Sequence, residues 1–505
     1  MKQLTGLDAG FLYMETPTTF GHISSMAVYD TPAKGDQPYE MFRNRLEQRL
    51  PMLEPLRRRL VEVPFQLDHP WWVEDPDFDI DFHIRHIAVP GKGRRKGGER
   101  ELADLVGRLI SRPLDRTKPL WEAYVIEGLP KGQWAAVIKM HHATIDGAAG
   151  ALMTYMLLDA EPNAEPPPMP ELPEPEAVPT PVEMMGRTMM SYAARPQRFA
   201  AAQGKMMREA FKIASESGDQ IRTAWMDAFK LPSSSSAEDP TLPTALAPAT
   251  PFNRSITPHR RFAYKSFDLG EIKAIKNHFS VVLDERITVN DRITVSDRIT
   301  INDIVMAVCA GALRRYLDRH ESLTDQPLVA AVPVSIRTGD EEDMWTNRVS
   351  SVFSQLPTHI EDSAERVRFS HEAMQSAKGS FDLVPAESMV DFAQFTPPAL
   401  FAESARLMSR MRMADQMRQV SNLVISNVPG PRESLYMGSS KLLHYYPVST
   451  IAEGQGLNIT VQSYEDKLDL GLVGCRELLP DLWHLIDDVE VEIQELVAAA
   501  RAASE

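Results

Sequence analysis

Cysteine is almost absent from this chain of 505 residues: there are two, Cys309 and Cys475, each inside an apolar run. That excludes a disulfide framework and a cysteine-based metal site, and no histidine stands near either thiol in sequence to activate it. Long apolar runs are also missing. None approaches the ~18–20 residues that a spanning helix needs, and Asp8 stands where a secretory leader would carry its apolar core. The expectation is a cytoplasmic protein, at most peripheral to a membrane. A basic excess is lacking as well. Lys and Arg number 54 against 70 Asp and Glu, for a net charge of −16, which argues against nucleic acid as a partner because phosphate binding wants a basic surface.

The apolar share of 43% and charged share of 25% are those of a soluble globular protein. The length exceeds one ordinary core, so two domains are expected. Residues 1–160 read as one α/β unit. It has a strand over Ile23 to Tyr29, a helix over Tyr39 to Leu50, extended segments at Trp71 to Val73 and Phe78 to Ile87, and a helix over Glu101 to Ser111. Residues 161–251 read as a Pro-rich linker enclosing a Met-rich amphipathic stretch at 183–230. Between Arg187 and Lys212, the cations Arg187, Arg195, Arg198, Lys205, Arg208 and Lys212 stand against only Glu209. Such a stretch suits an anionic lipid surface, or docks its methionine face on the second domain. Residues 252–505 form the second unit. It begins with a strand over Phe262 to Leu269 and a helix over Gly270 to His278. Three near-copies of a hexapeptide follow over 286–303, read as an extended loop or hairpin, and the last leads into a helix over Ile304 to Leu317 with Asn302 or Asp303 as cap. Strands over Leu328 to Ile336, Val349 to Leu356 and Leu423 to Val428, a hairpin at 457–474 and a helix over Pro480 to Ala502 complete it.

The stretch with chemistry in it is His141-His142-Ala143-Thr144-Ile145-Asp146-Gly147, where the strand-like run Trp134 to Met140 gives way to a helix. A histidine at the end of a buried strand is held by packing while its tip faces a cleft, and its unperturbed pKa of about 6.5 lets it take a proton near neutrality. Asp146 holds an imidazole directly, or pairs with an arginine and fixes the turn. Gly147 relieves steric demand where the chain reverses. Taken alone, the doublet is by default a structural pair of buried histidines, and its spacing to Asp146 is also that of metal ligands on a helix, although the run before it is not helical.

The His141-His142-x-x-x-Asp146-Gly147 pattern resembles the signature of the CoA-dependent acyltransferase superfamily, which includes chloramphenicol acetyltransferase and peptide-synthetase condensation domains. Further segments narrow the resemblance to the bacterial wax ester synthase/acyl-CoA:diacylglycerol acyltransferase family. These are Leu4-Thr-x-Leu-Asp8-x-x-Phe11-Leu12, Pro119-Leu120-Trp121, Asn302-Asp303, Val332-Pro-Val-Ser335-x-Arg337 and Ser426-Asn427-Val-Pro-Gly430-Pro431. Thr346-Asn347 departs from the Gly-Asn common in that family, and the triplicated hexapeptide is unusual for it.

The resemblance implies an α/β fold of two chloramphenicol acetyltransferase-like domains with the active site in a tunnel between them. It implies transfer of a long-chain acyl group from acyl-CoA to diacylglycerol or a long-chain alcohol, with acyl-CoA as substrate and no cofactor or metal. His142 is then the general base and His141 an auxiliary that positions substrate or packs. Asp146 is the brace of the turn, paired with Arg337 of the other domain, with Asp303 as further inter-domain support. Asn302 is a candidate oxyanion donor, or a plain helix cap. Pro119, Leu120, Trp121 and Gly147 are expected to wall the substrate tunnel, or to be core. The apolar product directs attention to 183–230 as peripheral contact with the inner face of the cell membrane or a lipid droplet. Two rivals share the turn. One is transfer from a carrier protein or amide-forming condensation, which would bring a carrier-docking surface. The other is an inactive lipid-binding relic, which would be expected to lose His142 or Asp146.

Overall fold

The computed structural model describes residues 1–91, 97–171, 177–191, 193, 246–287, 298–337, 344–382 and 398–502. The first half opens with strand β1 (Lys2–Gln3) and helix α1 (Gly6–Tyr13). Thr5 and Asp8 cap that helix reciprocally, Thr5 Oγ1 accepting from the Asp8 N–H and Asp8 Oδ2 from the Thr5 N–H. Then come β2 (His22–Tyr29), α2 (Pro38–Arg49), β3 (Arg58–Val61) and β4 (Trp71–Glu74). The segment expected to be extended from Phe78 instead makes one helical turn, α3 (Ile80–His83), before β5 (Ile84–Ala88), because Asp79 accepts the Asp81 N–H and starts a helix there. Helix α4 (Glu99–Leu109), β6 (Trp121–Glu127), β7 (Trp134–His141) and α5 (Gly147–Leu157) complete this half, and a further helix, α6, covers 181–191.

The second half contains β8 (Arg260–Asp268), α7 (Leu269–Ile287), α8 (Ile301–Arg319), β9 (Leu328–Ser335) and β10 (Val349–Leu356). Helices α9 (Ser363–Asp382) and α10 (Pro398–Arg410) follow, then strands β11 (Leu423–Val428), β12 (Tyr436–Met437), β13 (Ser440–Val448), β14 (Leu457–Tyr464) and β15 (Lys467–Cys475), and helix α11 (Leu482–Ala502). Helix α7 outruns its expected end and enters the first hexapeptide copy; residues 288–297 of the repeat lie outside the described residues. The cap of α8 is neither Asn302 nor Asp303. Thr300 caps it, its Oγ1 accepting from the Asp303 N–H while Asp303 Oδ2 accepts from the Thr300 N–H.

Two mixed six-stranded sheets carry the architecture, in the orders β12-β13-β2-β7-β6-β5 and β10-β9-β11-β14-β15-β8; a small third sheet runs β1-β4-β3. The first sheet takes β12 and β13 from the second half, with β13 antiparallel to β2. Two other features join the halves. Helix α4 lies so close to β8 that a Cβ at Gly107 would stand 3.1 Å from the Arg260 carbonyl oxygen. Trp345, from the loop before β10, is buried in the first half's core beside Trp121, Met140 and Ile145. The chain at 246–253, read as the end of a linker, is packed rather than loose. Ala247 and Phe252 are buried, and Asn422 Nδ2 donates to the Pro248 carbonyl and to Asn253 Oδ1. Both cysteines are buried free thiols, and burial pushes Cys309 up to about 12.

Candidate active site at the end of a buried strand

Apart from Lys139, which pairs with Glu122, the run Trp134 to Met140 of strand β7 is apolar on both faces because α2 and α5 cover one side of the sheet and α4 with β8 the other. It delivers His141 opposite His22 of β2. The backbone fixes both histidines. The His141 N–H donates to the Leu120 carbonyl at 2.9 Å, and the His142 N–H to the Gly21 carbonyl at 2.7 Å. After a turn closed by Thr144 N–H on the His141 carbonyl, Asp146 caps α5.

The two rings have opposite surroundings. His141 is buried. Its Nδ1 accepts the Ala143 N–H at 3.0 Å, so the ring proton is on Nε2, which lies 3.3 Å from Glu15 Oε1. Burial alone would raise the Glu15 carboxyl. Its contacts with His141, Arg116 and the Gly21 N–H outweigh that and hold it well below the usual carboxylate range. Gly21 allows this approach, because a Cβ there would stand 2.5 Å from His141 Nε2.

His142 is half-buried and lies flat on Phe11, with ring centroids 4.0 Å apart and planes 7° from parallel. Its Nδ1 is 3.2 Å from Asn347 Oδ1. The orientation of that amide follows from its other bonds. Asn347 Nδ2 donates to Asp8 Oδ1 at 2.7 Å and to the His142 carbonyl at 2.7 Å, and the Asn347 N–H also donates to Asp8 Oδ1. Both acceptors require the NH₂ group, so the amide oxygen faces the imidazole. Nδ1 must then carry the ring proton, and Nε2 has the lone pair. No hydrogen bond to His142 Nε2 is formed among the described residues. Burial lowers the His142 pKa below its ordinary value, so the ring is neutral at neutral pH.

Asp146 makes no hydrogen bond to His142 among the described residues. Its Oδ1 accepts the Ala149 N–H, and its Oδ2 accepts Arg337 Nη2 at 2.7 Å and the Arg348 N–H at 3.0 Å, all from the other half in the latter two cases. Gly147 is exposed, and a Cβ there would meet only Val428 Cγ2, at 3.8 Å. The steric demand expected at Gly147 is therefore absent, and the tight glycine is Gly21. Leu120 and Trp121 are buried core, with Trp121 Nε1 donating to the Leu56 carbonyl and its ring stacked on His83. Asn302 is half-buried in the first turn of α8 and makes no hydrogen bond to His142 among the described residues, while Asp303 accepts from His371 Nδ1 at 2.9 Å. The residues missed as site members are Asp8, Phe11, Glu15, Gly21 and Asn347. Asp8 and Phe11 lie in a recognised N-terminal pattern, and Asn347 in a recognised departure, but nothing local ties any of them to His142.

The profile described as "Wax ester synthase/diacylglycerol acyltransferase catalytic domain" matches residues 4–291, and that of the "WS/DGAT C-terminal domain" residues 345–497. The O-acyltransferase WSD of Acinetobacter baylyi is 32% identical over 502 residues, covering 98% of this chain and 96% of its own. Among solved structures, the wax ester synthase/diacylglycerol acyltransferase from Marinobacter aquaeolei VT8 superposes with a TM-score of 0.65 at 28% identity, over 99% of this chain and 100% of that one. The first condensation domain of the calcium-dependent antibiotic synthetase shares the fold, with a TM-score of 0.53 at 16% identity over 99% of this chain and 96% of that one.

Proposed function

The chain belongs to the wax ester synthase/diacylglycerol acyltransferase family, and from that premise we propose that His142 is the general base of an acyl-CoA-dependent O-acyltransferase. The reaction moves a long-chain acyl group from the thioester to the hydroxyl of diacylglycerol or of a long-chain alcohol. His142 Nε2 removes the hydroxyl proton as that oxygen attacks the thioester carbonyl. When the tetrahedral intermediate collapses, the C–S bond breaks and the same proton passes from Nε2 to the departing thiolate, so the ring returns to its starting state. A positioned base of this kind contributes about 10²–10⁴-fold.

The observation that carries the reading is the amide clamp. Asn347 fixes the Nδ1–H tautomer, and Phe11 holds the ring plane, so Nε2 is both basic and aimed. Asp146 and Arg337 act one step away, bracing the turn to the second half. His141 with Glu15 supports the strand end, and Leu120 acts through its carbonyl on the His141 backbone. Trp121 of β6 pairs with Met140 at the same strand end, Pro119 stands just before β6 and bridges to Arg59, and Gly147 leaves room between α5 and Val428. Asn302 remains the proposed donor to the oxyanion, where one donor is worth about 10²–10³-fold.

Among the described residues no helix is long and apolar enough to cross a membrane. Delivery of the apolar product to a membrane or lipid droplet through 183–230 is part of the same proposal; residues 194–230 lie outside the described ones. The test is free thiol release from palmitoyl-CoA with hexadecanol or dipalmitoylglycerol. Acceptor-dependent release that disappears in His142→Ala supports the assignment. Release that is independent of acceptor, or retained in full by that variant, overturns it.

A further inference from the structure

Strands β11 and β14 bring the second half up to the His141–Gly147 turn. They pair in parallel, with Ser426 opposite Thr460 and Val428 opposite Gln462. Side chains alternate along a strand, and paired residues share a face. Ile425, Ile459 and Val461 are packed in the second half's core with Ile304 and Val308 of α8. Ser426, Val428, Thr460 and Gln462 therefore project from the opposite face, toward the first half. Two contacts mark that face. Val428 Cγ2 lies 3.8 Å from where a Cβ at Gly147 would stand. Asp469 of β15, paired with Gln462 on its other side, accepts the Tyr445 N–H of β13 at 2.6 Å. Gln462 sits between these contacts, one strand spacing of about 4.8 Å from Val428 and from Asp469.

Gln462 is 5% exposed, and its amide forms no hydrogen bond among the described residues. The polar groups around it are already engaged. Thr460 Oγ1 donates to Asn458 Oδ1 and lies 2.8 Å from Ser449 Oγ. Asp469 holds His444 Nδ1 at 3.3 Å besides the Tyr445 N–H. Ser426, half-buried on the same face, has a hydroxyl that is also without a hydrogen bond among the described residues. A buried amide without a partner is costly, so a partner is expected in the bound substrate.

We propose that Gln462, with Ser426 beside it, sorts the acceptor by hydrogen-bonding an ester carbonyl next to the accepting hydroxyl. This rests on the acyltransferase reading, because that reading puts the hydroxyl at His142. The two acceptor classes differ at this point. A diacylglycerol carries two ester groups within a few bonds of its free hydroxyl, and their carbonyls accept from an amide or a hydroxyl. A long-chain alcohol has one polar atom, and His142 takes it. With the alcohol bound, the Gln462 amide stays unpaired against methylene groups, and a site built around a hydrogen bond rejects the ligand that lacks it. Gly147 and Ala148, exposed at the start of α5, leave room for the branched glycerol. The favoured acceptor is the diacylglycerol.

The experiment measures kcat/KM of the full chain with palmitoyl-CoA and either 1,2-dipalmitoylglycerol or hexadecanol, for wild type, Gln462→Leu and Ser426→Ala. The expected result in Gln462→Leu is a loss of about tenfold on dipalmitoylglycerol, with hexadecanol turnover within about twofold of wild type. Ser426→Ala should show a smaller loss in the same direction, and the KM for palmitoyl-CoA should be unchanged in both. The two acceptors are compared within one preparation, so a partly unfolded variant lowers both rates and leaves their ratio alone. An acceptor ratio unmoved in Gln462→Leu, or in Ser426→Ala where the leucine variant does not fold, overturns the proposal. So does a raised KM for palmitoyl-CoA, since the pantetheine amides of CoA offer the same hydrogen-bonding chemistry and would then be what Gln462 holds. Should wild type transfer to neither acceptor, the enzymatic reading fails, and calorimetric binding of 1,2-dihexanoylglycerol decides the subsite: weaker binding by Gln462→Leu keeps it, and equal binding overturns it.

Discussion

Both halves place an acidic residue at the start of a helix and a histidine nearby, and the two arrangements are built for different ends. In the second half Asp303, in the first turn of α8, accepts from His371 Nδ1 at 2.9 Å, and His371 Nε2 lies 2.9 Å from Gln375 Nε2. Both ring nitrogens are engaged inside the fold, so the imidazole is a strut between α8 and α9. In the first half Asp146, the cap of α5, turns its carboxylate to Arg337 and Arg348 across the interface. A neutral amide, Asn347, takes the place beside His142. A carboxylate there would favour the imidazolium and weaken the base near neutrality, whereas an amide fixes the tautomer without adding charge. In the proposed mechanism His142 serves as a reagent because one ring nitrogen is held by Asn347 and the other forms no hydrogen bond among the described residues.

The largest effects separate the two histidines. His142→Ala is expected to lower acceptor-dependent thiol release by about 10²–10⁴-fold. His371→Ala should leave kcat within a few fold and lower the thermal midpoint, because it removes a buried hydrogen bond worth about 1 kcal/mol or somewhat more. Comparable losses of kcat in both would erase the distinction. Next comes the amide. Asn347→Ala should cost about 10–100-fold in kcat/KM, the usual range for a residue that orients another, with little change in KM; a loss confined to KM would place Asn347 at the substrate instead. Breaking the cross-half brace is smaller for chemistry and larger for stability. Arg337→Ala leaves the buried Asp146 carboxylate without its ion-pair partner and should destabilise by about 2–3 kcal/mol, short of a fully buried pair because the arginine is partly solvated. Denaturant unfolding with unchanged stability would sink that role. The smallest contrast is between glycines. Gly21→Ala should destabilise by about 1–3 kcal/mol through its collision with His141, while Gly147→Ala, with Val428 at 3.8 Å, should be near neutral. Thermal melts of the two variants check the order.

What the chain revealed before folding was local. The apolar run Trp134 to Met140, the helix after Asp146 and the hairpin read at 457–474 were legible because hydrophobic period and turn residues determine them over a few positions. Asp146 and Arg337 came together through a family pattern, with no local signal. Asn347 was not legible as the partner of His142 because 205 residues separate them, and the contact depends on Trp345 seating its loop in the other half's core. The placement of β13 in the first sheet was hidden for a similar reason. Its pairing partner, β2, lies more than 400 residues earlier in the chain, and alternation alone does not say which sheet a strand joins. The cap of α8 was misassigned by a short step. Asn302 and Asp303 are both good cap residues, but Thr300 and Asp303 form the reciprocal pair. That moves Asn302 off the cap and into the first turn of the helix.

His142 is proposed to act as a neutral base whose proton sits on Nδ1 because Asn347 holds it there. The pH dependence of kcat/KM tests it most directly. Burial disfavours the imidazolium, so the acid limb should lie below the ordinary histidine value of about 6.5, with activity lost as pH falls through it. The Asn347 carbonyl favours the imidazolium, so Asn347→Ala should move that limb to still lower pH while lowering the plateau. An acid limb at or above 6.5 in the wild type, unmoved by Asn347→Ala, would contradict the account.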